Sequence, residues 1–433
     1  MTKSVFLSIN ADIVHNGHIR IVKRAAELGE VTVGVLSDEA RNEYGDYPSV
    51  PFEERAEAVR ALRDVAHVIP VRSLDCHAEL AELRPDIVVH GDNWRTGIFA
   101  PVRERVIQTL ATYGGELVEF PYTHNPRLDG LEEAARRELA MPEARRPRLR
   151  KLLEMDRPLR VMEVHNGLTG LIVEHTQVEA HGEIRQFDAM WVSSLTDSTA
   201  KGKPDTELVD STSRITTIEQ IMEVTTKPII LDGDSGGLIE HFQFFVSTLE
   251  RIGVSAVIIE DKVGLKRNSL FGNAGQDQDT IEHFCQKIAA GKEALRTPEF
   301  MLIARIESLI LEKGVDDAIE RARAYVNAGA DGIMIHSRSK TPDEVYEFCA
   351  RFREQDERTP IVVVPTSYND QTEEQLGAHG ANIVIYANHL IRSAYPAMQT
   401  VAQTILREGR SREVDDLCMP IKQVITLIPA SRD

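Results

Sequence analysis

Residues 228–262 read PIILDGDSGGLIEHFQFFVSTLERIGVSAVIIEDK. The stretch opens on one short apolar run, PIILDGD (228–234), and closes on another, AVIIEDK (256–262). Runs of this length with no polar alternation are what a strand covered on both faces looks like. Between them the chain has room for a helix, and parallel strands need such a crossover. The same unit recurs through the second half: RVMEV (160–164), DAMWVSS (188–194), MLIARIES (301–308), GIMIHS (332–337), PIVVVPT (360–366) and NIVIYAN (382–388) complete a set of eight. A helix such as ARAYVNAG (322–329) stops on a glycine. Eight strand–helix units in ~270 residues predict a (β/α)8 barrel. The steps after the second and fourth strands are longer than the others. Their surplus falls at 197–215 and 263–280, where insertions are expected to cover the catalytic end.

The first half alternates in the same way. SVFLSIN (4–10), EVTVGVLS (30–37), HVIPV (67–71), DIVVHGD (86–92) and ELVEFPY (116–122) read as strands, with helices such as HIRIVKRAAEL (18–28) and FEERAEAVRAL (52–62) between them. Five strands in ~120 residues predict a doubly wound, Rossmann-like domain. The segment between the halves is dense in charge and proline and reads as a helical linker over 124–157, with a boundary near Arg150. Its basic end is read as a solvated face or a contact with the acidic remainder. The resulting division is 1–123, 124–157 and 158–433.

The 433 residues carry 50 basic and 68 acidic side chains, a net charge of −18 with neutral histidine. Nucleic acid and anionic membrane both need a cationic face, so neither is expected as a partner. Cys76, Cys285, Cys349 and Cys418 form no CxxC pair, which argues against a zinc ribbon or a disulfide scaffold and fits a reducing cytoplasm. The apolar run at the start is too short for a signal peptide, and no stretch approaches the ~20 apolar residues of a membrane span.

Barrel active sites form at the carboxyl ends of the strands. Those ends carry Trp191 and Ser193, Asp232 and Asp234, Glu260 and Lys262, Arg305 and Glu307, His336 and Ser337, Thr366, and Asn388. Such groups are costly to bury without partners, and packing alone does not explain them at every strand end. Asp232, Asp234 and Glu260 are hard oxygen donors without accompanying histidine or cysteine, a set that suits Mg2+. The two aspartates, two residues apart, are expected on one face of the strand end. Arg305 and His336 are placed to clamp an anionic substrate bearing phosphate or carboxylate. The run GDSGG (233–237) matches the nucleophile motif of chymotrypsin-like proteases, but it follows PIILD inside a βα repeat and is set aside on that context.

The segment EDKVGLKRNS (260–269) resembles the EDKxGxKxNS signature of phosphoenolpyruvate mutases. The similarity continues, in order, through MEVHNGLTGLIVE (162–174), LDGDSGG (231–237), ARIES (304–308), GADGIMIHS (329–337), VVPTSY (363–368) and YANHLIRSA (386–394). The resemblance implies a Mg2+-dependent barrel of the isocitrate lyase superfamily that interconverts phosphoenolpyruvate and phosphonopyruvate. It also implies a dimer or a dimer-of-dimers tetramer in which a late helix is exchanged between subunits. It makes Asp232 the direct Mg2+ ligand, with Asp205, Asp234 and Glu260 holding the metal's waters. Trp191, Ser193, Leu195 and Arg305 would position the pyruvoyl part. Lys266, Asn268 and His336 would handle the phosphoryl group, and Ser337 stands beside them. One position departs from the pattern: WxSGL reads WVSSL here, with Ser194 where the family offers a glycine N–H to the substrate.

The turn His15-Asn16-Gly17-His18, between Asn10 and the first helix, resembles the HxGH signature of cytidylyltransferases. There, paired imidazoles stabilise charge on the triphosphate, and a helix N-terminus adds favourable potential. HGDNW (90–94), with Asp92 and Trp94, and FEER (52–55) stand at family positions. Two elements depart: HNPRL (124–128) stands where an ISST-like phosphate motif belongs, and no lysine occurs between Tyr44 and Pro48. The whole layout resembles the bifunctional mutase–cytidylyltransferases of phosphonate, fosfomycin-type, biosynthesis. This implies CTP and a phosphonate such as 2-hydroxyethylphosphonate as further substrates. It also implies a downstream enzyme that consumes phosphonopyruvate, because the mutase equilibrium favours phosphoenolpyruvate. The alternatives are a phosphonopyruvate hydrolase, a C–C lyase and an inactive, structural N-terminal domain. The lyases carry a cysteine in the loop corresponding to 262–272, and none occurs here.

Overall fold

The computed structural model describes residues 2–43, 48, 50–121, 137–180, 183–264, 266 and 276–428. Five strands form the first sheet: β1 (Ser4–Ile9), β2 (Glu30–Leu36), β3 (His67–Val71), β4 (Ile87–Gly91) and β5 (Glu116–Phe120). All pairings are parallel, in the order β3-β2-β1-β4-β5. The chain therefore reverses direction across the sheet between β1 and β4, which opens a crevice at their carboxyl ends. Val5, Leu7, Val33, Val35 and Val89 are buried under the helices on one face, and Phe6, Val71 and Val88 on the other.

The second half closes into an eight-stranded parallel barrel of β6 (Leu159–Val164), β9 (Ala189–Val192), β10 (Ile229–Asp232), β11 (Ala256–Glu260), β14 (Met301–Ile306), β15 (Gly332–Ile335), β16 (Ile361–Val363) and β17 (Ile383–Tyr386). All eight expected strands are present. Several end one to three residues before the stretch read from the sequence, because the polar residues at their ends leave the ladder. Two hairpins are added: β7–β8 (Gln177–Ala180 and Glu183–Gln186) and β12–β13 (Lys262–Val263 and Asp277–Gln278). The first hairpin joins the halves. Its Ile184 packs into the cluster around Phe6 and Trp94, and its Glu179 meets Arg105 at 2.8 Å.

The segment read as a charged linker contains the helix Pro142–Leu152, and of the two readings of its basic end the structure shows the contact with the acidic remainder: Arg150 meets Asp331 at 2.6 Å and Arg146 approaches Glu299. Leu149 and Leu152 are fully buried with Leu159, Ala189, Ile230 and Met301, plugging the end of the barrel opposite its carboxyl mouth. Arg145 is fully buried too. Its guanidinium donates to the Met222 carbonyl at 3.2 Å and to Thr225, while Arg148 donates to the Thr226 carbonyl at 2.7 Å. These arginines bind carbonyls at the end of the helix Ser211–Met222 and in the loop that follows it. Residues 124–136 of the expected linker lie outside the described residues. The helix His389–Glu408 is long and buries none of its residues, leaving Tyr395, Met398 and Leu406 well exposed. Among the described residues no helix is long and apolar enough to cross a membrane.

Candidate active site

Each barrel strand delivers its last inward-facing side chain to one mouth. The cavity there is lined by Trp191, Ser193, Ser194, Leu195, Asp205, Asp232, Glu260, Lys266, Arg305, Met334, His336, Val364, Thr366, Ala387 and Asn388. Asp232 ends β10. Its Oδ2 accepts from the Ser194 amide at 3.2 Å and from the Ser194 hydroxyl at 2.8 Å, and its Oδ1 accepts from the Asp234 amide at 3.2 Å. Burial pushes its carboxyl up, but Lys266, Arg305 and Arg214 outweigh that and hold it down at about 2.

Asp234 joins Asp232, though not by strand alternation. The strand has already ended, and a left-handed turn at Asp234 itself (φ 54°) folds the carboxylate back into the site. A side chain other than glycine in that region is strained by roughly 1–3 kcal/mol, which its ionic contacts offset. Arg214 donates to Asp234 Oδ2 at 2.6 Å, and Lys266 donates to Oδ1. Burial, with Asp232 adjacent, holds the Asp234 carboxyl above its usual range. Arg214 carries no motif, and no signal in the sequence marks it.

Glu260 is 2 % exposed, and burial pushes its carboxyl up to about 7. Neither of its oxygens accepts a hydrogen bond among the described residues; Lys262 and Arg305 stand 3.3 and 3.4 Å away. Such an orphaned carboxylate fits a hydrated cation. Among the described residues no three acidic, histidine or cysteine side chains converge as direct metal ligands. Asp232, Asp234, Glu260 and Asp205 are the residues that could hold a hydrated divalent cation such as Mg2+.

Across the mouth, Arg305 binds Glu307 at 2.6 Å and donates to His336 Nδ1 at 2.8 Å. Burial, with the Arg305 charge beside it, holds His336 below its ordinary value and therefore neutral. His336 Nδ1 lies between the Arg305 guanidinium, which only donates, at 2.8 Å and the Glu307 carboxylate, which only accepts, at 3.3 Å; the shorter contact favours Nδ1 as acceptor with the ring proton on Nε2. Ser193 caps the helix Ser194–Ala200, so Ser194 lies in ordinary helical backbone and projects its hydroxyl into the site. Ser337 does not join the others: its hydroxyl donates to Glu344 and accepts from the Ser339 amide at 2.9 Å. Asn268 lies outside the described residues. Ser235 of the GDSGG run donates to Glu207 at 2.7 Å, a surface contact.

At the mouth of the first sheet, His15 caps the helix Asn16–Ala26 by accepting from the Gly17 amide at 3.0 Å. A Cβ on Gly17 would stand 2.7 Å from the His15 ring, so the motif needs glycine there. His15 and His18 stack with centroids 3.8 Å apart, and burial, then the His15 charge, lowers His18 to about 4. Arg55 of FEER is buried and donates to the Asn10 carbonyl at 2.6 Å, to Asp38 at 2.5 Å and to the Val50 carbonyl at 2.9 Å. It shapes the crevice from beneath. Asp92 opens a short turn after β4. Trp94 is committed elsewhere than expected for a nucleotide contact: its indole N–H donates to Glu119 at 2.7 Å, and its ring stacks on His90 at 3.6 Å.

The fold and this mouth define a phosphoenolpyruvate mutase-type barrel behind a cytidylyltransferase-like domain. Residues 149–406 match the phosphoenolpyruvate phosphomutase family model, and the chain belongs to that family. Residues 10–134 match the cytidylyltransferase-like model. The chain is 34 % identical over 302 residues to the phosphoenolpyruvate phosphomutase of Streptomyces hygroscopicus, covering 69 % of this chain and 92 % of that one. The crystal structure of phosphoenolpyruvate phosphomutase from Streptomyces platensis subsp. rosaceus superposes with a TM-score of 0.60 at 35 % identity, covering 65 % of this chain and 93 % of the other. A phosphonopyruvate hydrolase solved with oxalate and Mg2+ gives 0.58 at 34 % identity, covering 65 % and 94 %.

Proposed function

We propose that the barrel interconverts phosphoenolpyruvate and phosphonopyruvate, moving a phosphoryl group between the enol oxygen and carbon 3. The observation that carries this reading is the cavity itself, where Asp232, Asp205 and Glu260 line one mouth together with Lys266, Arg305 and His336. The O–P bond breaks, the enolate turns its carbon toward phosphorus, and the C–P bond forms. Nothing in that sequence needs a strong nucleophile; it needs the phosphoryl held still and the charge balanced. Asp232, with Asp205, Asp234 and Glu260 acting through waters, would hold Mg2+, which would supply positive charge to the substrate's oxygens. Trp191, Ser193, Leu195, the Ser194 amide and Arg305 seat the pyruvoyl part. Lys266, the Nε2–H of His336 and Asn268 hold the phosphoryl oxygens. Water exclusion separates this outcome from hydrolysis, the reading favoured by the similarity to the hydrolase.

The N-terminal domain is assigned transfer of CMP from CTP to a phosphonate such as 2-hydroxyethylphosphonate, releasing pyrophosphate. The stacked His15–His18 pair at a helix N-terminus supports this. The assignment makes the chain a bifunctional enzyme of fosfomycin-type phosphonate biosynthesis, working with a downstream enzyme that drains phosphonopyruvate. The proposed units are 1–123 and 158–433, with the helix Pro142–Leu152 grouped with the barrel on the packing of Leu149 and Leu152. Exposed apolar side chains along His389–Glu408 support exchange of that helix between copies in a dimer or tetramer. Calorimetry with CTP, then a pyrophosphate assay with the phosphonate, tests the first domain. Turnover that is lost in both His15→Ala and His18→Ala supports transfer, and failure to bind CTP refutes it.

A further inference from the structure

The roles above give Lys266 to the phosphoryl group, yet its ammonium stands among the carboxylates. Nζ donates to the Ser194 hydroxyl at 2.6 Å, to Asp205 Oδ1 at 3.1 Å and to Asp234 Oδ1. The Ser194 hydroxyl in turn donates to Asp232 Oδ2 at 2.8 Å, so the ammonium reaches Asp232 through one oxygen. The side chain is 5 % exposed, and a buried ammonium is tolerated only where anions offset its desolvation. Burial would lower its affinity for the proton, but Asp232, Asp234, Glu260 and Asp205 raise it above the ordinary lysine value. Lys266 is thus a cation seated in the cage assigned to the metal.

A Mg2+ held by Asp232, with Asp205 and Asp234 through waters, would compete with Lys266 for carboxylates that the ammonium now uses, and two cations a few ångströms apart repel. We infer that Lys266 and the divalent metal occupy the carboxylate cage by exchange, with the Ser194 hydroxyl anchoring the ammonium when it is inside. Metal entry expels the ammonium toward the substrate side of the cavity, so metal binding precedes and enables its use on the phosphoryl group. The glycine of the family pattern has no hydroxyl, so this anchor comes with the Ser194 departure. The inference rests on the metal reading under Proposed function.

The test uses the full chain without substrate. Mg2+ titration by calorimetry compares the wild type with Lys266→Met and with Lys266→Gln, which keeps length and polarity without charge. Both variants are expected to bind Mg2+ more tightly, by on the order of tenfold or more. In the wild type, an amine-directed acylating reagent read by peptide mass spectrometry should modify Lys266 slowly without Mg2+ and faster as Mg2+ saturates. Equal or weaker Mg2+ affinity in both variants, or labelling indifferent to Mg2+, overturns the exchange and leaves the metal reading standing. No Mg2+ binding in the wild type and the variants alike overturns both.

Discussion

Glu260 and Arg305 are paired in register on neighbouring barrel strands, and their charged ends meet 3.4 Å apart at the mouth. The arrangement follows from the parallel ladder. Each strand ends its inward row at the same level, so an acid at the end of β11 must face a base at the end of β14. The pair joins the carboxylate side of the cavity to the side that holds His336.

Burial raises Glu260 to about 7, ahead of the opposing pull of Arg305 and Lys266. Its charged form is the one that can hold the metal's waters. Mg2+ affinity is therefore expected to rise as pH climbs through about 7. Linkage has the opposite sign for the protein alone: a carboxyl raised above its ordinary value contributes stability below that value and loses it as pH rises through about 7. Titrating Mg2+ at pH 6 and pH 8 checks the first statement, and thermal melts without Mg2+ at the same pH values check the second. An affinity independent of pH contradicts the role given to Glu260.

Asp232 and Asp205 are predicted to differ in degree. Losing a partner that touches the metal through water costs about 10–100-fold in affinity. Asp205→Ala is expected in that range, and Asp232→Ala beyond it, with turnover abolished. Calorimetry on the two variants, with circular dichroism to verify folding, separates direct from water-mediated contact. Equal losses would make the two carboxylates equivalent and remove the single-ligand geometry.

His18 sets a pH dependence in the first domain. Its ordinary value of 6.5 falls to about 4, with burial the main cause. The folded protein thus binds this proton less readily than the unfolded chain. The contribution is complete above 6.5 and is lost as pH falls through about 4, amounting to about 3 kcal/mol at most. His18→Gln removes the dependence. Denaturation of both proteins across pH 4–7 should show the wild type losing stability relative to the variant as pH falls. A constant difference between them would mean that His18 is not buried neutral.

The barrel was legible because period and length are robust: eight largely apolar runs, each followed by a helix, admit few other closures. The mouth was legible for the same reason, since every strand end in a barrel points to one place. What the period does not announce lies where the chain leaves the ladder. Asp234 reaches the site through a left-handed turn that no period announces. Ser337 stands next to His336 in the chain, yet its hydroxyl turns to Glu344 on the following helix. The basic end of the linker reads as a solvated face or a contact with acidic groups; Arg145 and Arg148 instead bind backbone carbonyls at and beyond the end of Ser211–Met222, which no charge pattern announces. Trp94 stood in a nucleotide-binding motif, whereas Glu119, distant in sequence, holds its N–H.

The most direct test of the central claim is phosphorus NMR of the purified full chain with Mg2+ and phosphonopyruvate. The account predicts that the phosphonate resonance is replaced by that of phosphoenolpyruvate, and that Asp232→Ala leaves it untouched. Inorganic phosphate appearing with pyruvate, and no phosphoenolpyruvate, would contradict the account and make the barrel a hydrolase.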